Sequence, residues 1–390
     1  MAETVELVGA VHVHTGHSDG SGTVAEVAAA AEKAGLDFVV IADHDRLSAR
    51  RVGAEGRHGS VLVAAGAEIS TKRNMTHLLA LGHSWSAARF AHTVDEALRR
   101  TSDDGGKTLL AHAQGRGLGG RGRDRRDWPW WDHPRLAGAE IWSYLQDWGA
   151  SFRLLRPASY RLENVPRWIA GPPDWLLAHW DQQAEKRPFA GVGASDNHAK
   201  RLWPFRRQYW PHEVMLGRLV NRVRPGEPLS DDGARAARQV MAALGEGRCV
   251  FARDELASSK GFDFRALLPV AGTPFSADPE PSGNRVPTTA HRELRSGESA
   301  AFSPGTKLIV ESPREAELRV CRLGRVVAST LGRRLEFEPA EAGAYRAEAR
   351  LPLYSVPGSL LPDQSHRQPT TGDRQPTLPW CFSNHVRLEA

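Results

Sequence analysis

Two histidines stand two residues apart in the run VELVGAVHVH, at His12 and His14, and Asp196 and His198 repeat that spacing at the end of PFAGVGASDNH. If each run is a strand, alternation puts both members of a pair on one face, where they form a two-pronged clamp for a cation. His44, Glu68 and His112 close three further apolar runs, DFVVIADHD, SVLVAAGAEIS and KTLLAHAQ. Imidazoles and carboxylates gathered at one buried mouth are costly unless a cation compensates them. The mixed nitrogen and oxygen donors suit Mn, Zn or Fe(II) and do not choose among them.

Such a gathering needs elements that bring distant stretches together. The apolar runs are nearly continuous, as in strands buried on both faces of a parallel sheet. Between the first two lies TVAEVAAAAEKAGL, a helix pattern with Thr23 as N-cap and Gly35 as its stop. Residues 94–101 and 174–187 also read as helical. This strand–helix alternation through residue 205 predicts an α/β barrel or a doubly wound sheet. Active sites of parallel α/β folds collect at the C-terminal ends of the strands, which is where the polar residues stand. Residues 115–135 are rich in Gly and Arg, then in Trp and Pro, and predict a long loop of the kind that forms lids. After residue 260 the composition shifts. Pro, Gly and Ser rise over 269–305, and KLIVES, AELRVCRLG, RVVAST, RLEFEP and AYRAEARL then read as short strands of a β-sandwich. Residues 355–380 read as Pro-rich and irregular. The expected division is a metal-binding α/β domain over 1–260 and a β-rich domain over 261–390.

Bulk composition narrows the function classes. Hydrophobic residues make up 41% and charged residues 25% of 390, so a core forms without disulfide support. Cys249, Cys321 and Cys381 are far apart, which argues against a disulfide framework and a zinc ribbon. A net charge of +5 suits a small anionic substrate and does not demand nucleic acid. The start MAETVELVGAVHVH lacks a basic, apolar leader, and no apolar segment is long enough to span a membrane, so a cytoplasmic location is expected. No GxSxG elbow and no Walker loop appear.

HVHTGHSDG (12–20), ADHD (42–45), GAEIS (66–70), HLLALG (77–82), AHAQ (111–114) and SDNH (195–198) resemble the ordered motifs of the PHP (polymerase and histidinol phosphatase) superfamily over about half the chain. The resemblance implies a distorted (β/α)7 barrel holding two or three divalent metal ions (Mn, Zn or Fe). It implies one ion on His12, His14, Glu68 and Asp196. A second would be bridged by Glu68 and held with His77 and His112, and a third would be held by Asp19, His44 and His198. Asp19 stands where some members have His. His83, at the C-terminal end of its run, rivals His77 on barrel logic, and the family pattern favours His77. Asp43 is expected to orient an imidazole from behind. AEIWSY, ALGEGRCVFARDEL and the ending PWCFSNHVRL are similar to the carbamate-hydrolase branch (CehA/McbA type), with His385 where Pro is usual.

The expected chemistry is attack of a metal-coordinated hydroxide on phosphorus or a carbonyl carbon, with His198 or His17 protonating the leaving oxygen. Arg116, Lys200 and Arg201 follow ligand motifs directly and are candidates for phosphate binding. These features favour a phosphoesterase acting on a small organic phosphate. A carbamate or carboxyl-ester hydrolase is the alternative, with an aromatic leaving group held by Trp142 and by Trp128, Trp130, Trp131 and Trp148. A nuclease using the Arg-rich loop is a further alternative.

Overall fold

The computed structural model describes residues 5–71, 73–85, 93–115, 125–150, 169–200, 208–269, 291–358 and 376–390. Strand β1 (Leu7–Val13) pairs in parallel with β2 (Phe38–Ile41), through helix α1 (Val24–Lys33). The helix starts at Thr23, whose hydroxyl accepts the Glu26 N–H while the Glu26 carboxylate returns to the Thr23 N–H. This reciprocal cap satisfies two donors that the first turn leaves open. Short helix α2 (Ser48–Arg51) and β3 (Gly56–His58) lead to β4 (Val61–Ala65), which is parallel to β2 and antiparallel to β3.

A second sheet holds β5 (Ala67–Thr71), β6 (Thr76–Leu81), β7 (Lys107–Leu110), β8 (Leu136–Ser143) and β9 (Ala190–Ala194), side by side in that order. Helix α3 (Val94–Asp103) precedes β7, α4 (Tyr144–Ala150) follows β8, and α5 (Asp174–Lys186) precedes β9. Pairing is parallel across β7, β8 and β9, but β6 is antiparallel to both its neighbours. The two sheets meet along two seams. On one, β4 runs through Gly66 into β5, and His44 bridges Glu68. On the other, the Ser195 N–H donates to Val11 O (2.8 Å) and the His14 N–H to Asn197 O (3.0 Å).

These seams are isolated bridges rather than continuous ladders. After helix α6 (His212–Met215), strand β10 (Val220–Val223) takes the first half of β1 in antiparallel register, Leu7 opposite Val223. Strand β9 therefore reaches β1 only near its C-terminal end. Helix α7 (Gly233–Gly245) and β11 (Cys249–Ala252) follow, with β11 on β10.

The remaining strands are β12 (Asp263–Pro269), β13 (His291–Arg295), β14 (Ser299–Ala301), β15 (Lys307–Arg322), β16 (Arg325–Phe337), β17 (Gly343–Pro352), β18 (Thr377–Ser383) and β19 (Val386–Glu389). They bury a core of their own around Phe262, Leu318, Trp380 and Cys381. A β-sandwich was expected over 261–390. In the structure β18 pairs with β11, and the first sheet runs on through β18, β17, β15, β12 and β13. Strand β18 also occupies the end of the stretch read as irregular. Its Pro379 is tolerated because it sits where the β17–β18 register slips. Asp181 of α5 ties this region down: its carboxylate accepts from Arg346 Nε (2.5 Å) and lies 2.9 Å from Nε2 of His385, all buried. Among the described residues no helix is long and apolar enough to cross a membrane.

Candidate metal centre

Strand β1 delivers His12 and His14 less simply than alternation suggests. Its register with β2 slips between Ala10 and Val13, and His12 takes a left-handed backbone (φ 65°). The slip leaves the two Nε2 atoms 3.0 Å apart. His112 (φ 46°) and Asp196 (φ 51°) are left-handed too. Such backbone costs about 1–3 kcal/mol for each non-glycine residue and persists where the surroundings demand it. Here three strained residues are the ones that turn a donor into the same mouth.

Glu68 is the centre of that mouth. Its Oε2 lies 3.2 Å from His12 Nε2, from His14 Nε2 and from His44 Nδ1, and its Oε1 lies 2.7 Å from His77 Nδ1 and 3.0 Å from His112 Nε2. Asp196 lies 3.4 Å from His14 and 3.5 Å from His112. Asp19, on the exposed rim, lies 3.2 Å from His198 Nε2 and 3.6 Å from His44 Nε2. All nine expected ligands are thus brought together, and the implied set of His12, His14, Glu68 and Asp196 converges, with each imidazole within 3.7 Å of both carboxylates. The donor atoms converge as His12, Glu68, His112 and Asp196; as His14, Asp19, His44 and His198; and as His44, Glu68 and His77.

The groups polarise one another. Burial would push His12 down, but Glu140, Glu68 and Asp196 hold it well above the usual imidazole range. His14, buried as well, is raised to about 9 by Asp196 and Glu68. Burial would raise Glu68, yet His12 and His112 keep it well below the carboxylate range, and the same two imidazoles do so for Asp196. Burial lowers His44 beyond what Glu68 restores. The protons in this cluster stand where cations would replace them. Within the cluster, His44 Nδ1 and His112 Nε2 face Glu68 at 3.2 Å and 3.0 Å without an aligned hydrogen bond, an arrangement that suits lone pairs directed at an ion. The residues therefore fit divalent ions with nitrogen and oxygen ligands.

One residue of the site escaped the sequence reading. Glu140 of β8 is fully buried, with Oε1 2.5 Å from His12 Nδ1 and Oε2 accepting the His112 N–H at 2.8 Å. The signal was present as a lone carboxylate inside the apolar run AEIWSY. Glu140 holds two candidate ligands at once and, as an acceptor, favours the His12 proton on Nδ1.

Other expectations need correction. Among the described residues Asp43 meets no imidazole: its carboxylate accepts the Thr15 N–H (2.8 Å), the Thr15 hydroxyl (2.6 Å) and the Ser18 hydroxyl (2.5 Å), and so pins the loop that carries His17 and Asp19. His17 is exposed, and its ring is in none of the converging groups. Trp142 is not a substrate contact. It is fully buried, donates to Asp147 (3.0 Å) and packs edge-on against Phe382. Trp128, Trp131 and Trp148 are core residues as well. Lys200 is at the rim, with Nζ 2.9 Å from Asp19 Oδ2. Arg116 and Arg201 lie outside the described residues. His83 is buried beside Trp85, away from the converging groups. The reason is the reversed direction of β6, which presents its N-terminal end, with His77, where parallel strands present their C-terminal ends.

No family model and no curated protein matches the chain. Among solved structures, a two-domain protein from Bacteroides vulgatus containing a predicted PHP-like metal-dependent phosphoesterase is similar at 14% identity and a TM-score of 0.42, over 88% of this chain and 90% of that one. An amidohydrolase from Chromobacterium violaceum with bound sulfate is similar at 16% identity and a TM-score of 0.32, over 53% of this chain and 96% of that one. Both TM-scores lie below 0.5, so the chemistry of the site has to decide the function.

Proposed function

We propose that the protein is a metal-dependent hydrolase of the PHP type, acting as a phosphoesterase on a small organic phosphate ester. The observation that carries this reading is the Glu68 carboxylate with five imidazole nitrogens within 3.2 Å. Nine ligands in three overlapping groups suit two or three divalent ions. Ions held there would supply Lewis-acid charge to an oxyanion developing at phosphorus. The reading takes residues 1–260 as the catalytic unit, a distorted seven-membered ring of β1, β2, β4 continued through Gly66 into β5, β6, β7, β8 and β9. Residues 261–390 extend it as a β-rich region.

The chain's own residues then divide the work. Nδ1 of His198 lies 2.8 Å from the Asp196 carbonyl, which orients the ring so that Nε2 faces Asp19 at 3.2 Å. That orientation suits His198 to a ligand role through Nε2. His17, exposed on the loop pinned by Asp43, remains the imidazole able to protonate a leaving oxygen. Lys200 at the rim, paired with Asp19, offers a cation for a phosphate oxygen. Burial of Trp128, Trp131, Trp142 and Trp148 removes the main support for an aromatic leaving group, so carbamate cleavage ranks second. Metal analysis followed by phosphate monoesters, cyclic phosphates and a naphthyl carbamate, each with Mn, Zn and Fe, tests the reading. Turnover of phosphate esters is expected; turnover of the carbamate alone would overturn it.

A further inference from the structure

Strand β9 carries Asp196 and His198 just beyond its C-terminal end, yet one of its edges has almost no backbone partner. Residues 190–194 pair in parallel with β8 along one edge. The odd-numbered positions face the gap left where β10 has taken the first half of β1. Buried peptide groups must be paired, and here side chains pair them. The Gly191 N–H donates to Asn384 Oδ1 (2.6 Å), and Asn384 Nδ2 donates to Gly191 O (2.8 Å). Two residues on, the Gly193 N–H donates to Asn221 Oδ1 (3.0 Å), and Asn221 Nδ2 donates to Gly193 O (2.7 Å). Two further on, the Ser195 N–H meets the β1 backbone at Val11 O. Both asparagines are buried. Their side-chain amides, one from within β10 and one from just beyond β18, supply the hydrogen bonds that a paired strand's backbone would. Gly191 leaves no alternative occupant, because a Cβ there would lie 2.3 Å from the Trp180 ring.

We infer that Asn384 and Asn221 are positioning residues for the metal centre: their side-chain amides replace the missing neighbour of β9 and set the register that delivers Asp196 and His198. Asn384 follows β18 directly, so the β-rich region takes part in the site by completing one of its strands. The inference rests on the metal-centre reading given above.

The full chain is compared with N384L, N221S and S383A. Leu fills the asparagine volume without its amide. Ser383 is the control: its buried hydroxyl accepts the Ala347 N–H of β17 (2.7 Å), one residue away but off β9. Co(II) affinity is read by chelator competition, the ligand field by the visible spectrum of the Co(II) form, and backbone pairing by amide exchange over residues 190–195. N384L and N221S are expected to weaken Co(II) binding about 10- to 100-fold, the range for residues that support metal ligands from behind. Their Co(II) bands should shift and their 191 and 193 amides exchange faster, while S383A matches wild type in all three. Wild-type affinity and bands in the asparagine variants, or equal losses in S383A, would overturn the inference. If N384L does not fold, N221S decides by the same comparison. If the wild type itself takes no Co(II), the metal-centre reading falls, and the exchange rates alone still report whether the asparagines hold β9.

Discussion

Replacing Glu140 by Gln alters neither volume nor burial, yet it should cripple the site. The carboxylate now accepts at both oxygens: from His12 Nδ1 at 2.5 Å and from the His112 N–H at 2.8 Å. A carboxylate accepts only, so the His12 proton is held on Nδ1 and the Nε2 lone pair is left to face Glu68. An amide cannot do both. With its oxygen toward His112, its NH2 faces Nδ1 and drives the proton to Nε2, where an ion would bind. Flipped, it sets NH2 against the His112 N–H and leaves that buried donor unpaired. Either arrangement loses one charge-assisted bond, about 1.5–3 kcal/mol. At 1.4 kcal/mol per factor of ten, that is about 10- to 100-fold in metal affinity. Chelator competition on folded E140Q, with melting followed in parallel, measures it. Wild-type affinity in a variant that melts normally would show that Glu140 does not control the His12 tautomer.

H77A should lose metal held by the His44–Glu68–His77 group, seen as a lower metal-to-protein ratio, whereas H83L should keep the full complement. Burial, then the positive charge of Arg50, lowers His83 to about 4. Its unfolded value is about 6.5, so the stability it contributes is present above 6.5 and is lost as the pH falls through about 4. H83L should therefore lose less stability than wild type between pH 7 and pH 4 in denaturant titrations; an unchanged difference would refute the assignment. W142F removes the indole donor to Asp147. It should cost about 1–3 kcal/mol in denaturant unfolding while leaving kcat/KM unchanged within about twofold.

Much of this site was legible because ligands are chemically conspicuous at the ends of apolar runs: His12, His14, His44, Glu68, His112, Asp196 and His198 all announce themselves that way. What misled was the assumption that every run points the same way. Strand direction is not a property of a run's composition, so His77 and His83 could not be separated by barrel logic until β6 was seen to be reversed. Tryptophan was ambiguous for a related reason: core and pocket both favour a large apolar ring, and only packing shows that Trp142 faces Phe382 and Asp147.

The amino-acid order determined the donor inventory, the strand–helix alternation and the capped first helix, since each depends on residue type and short spacing. The fold decided how the donors group, which strand runs backwards, that Glu140 stands behind His12, and that Asn384 completes a strand 193 positions earlier in the chain. These are contacts between distant segments. They exist only once competing edges such as β9 and β10 have divided the available partners on β1.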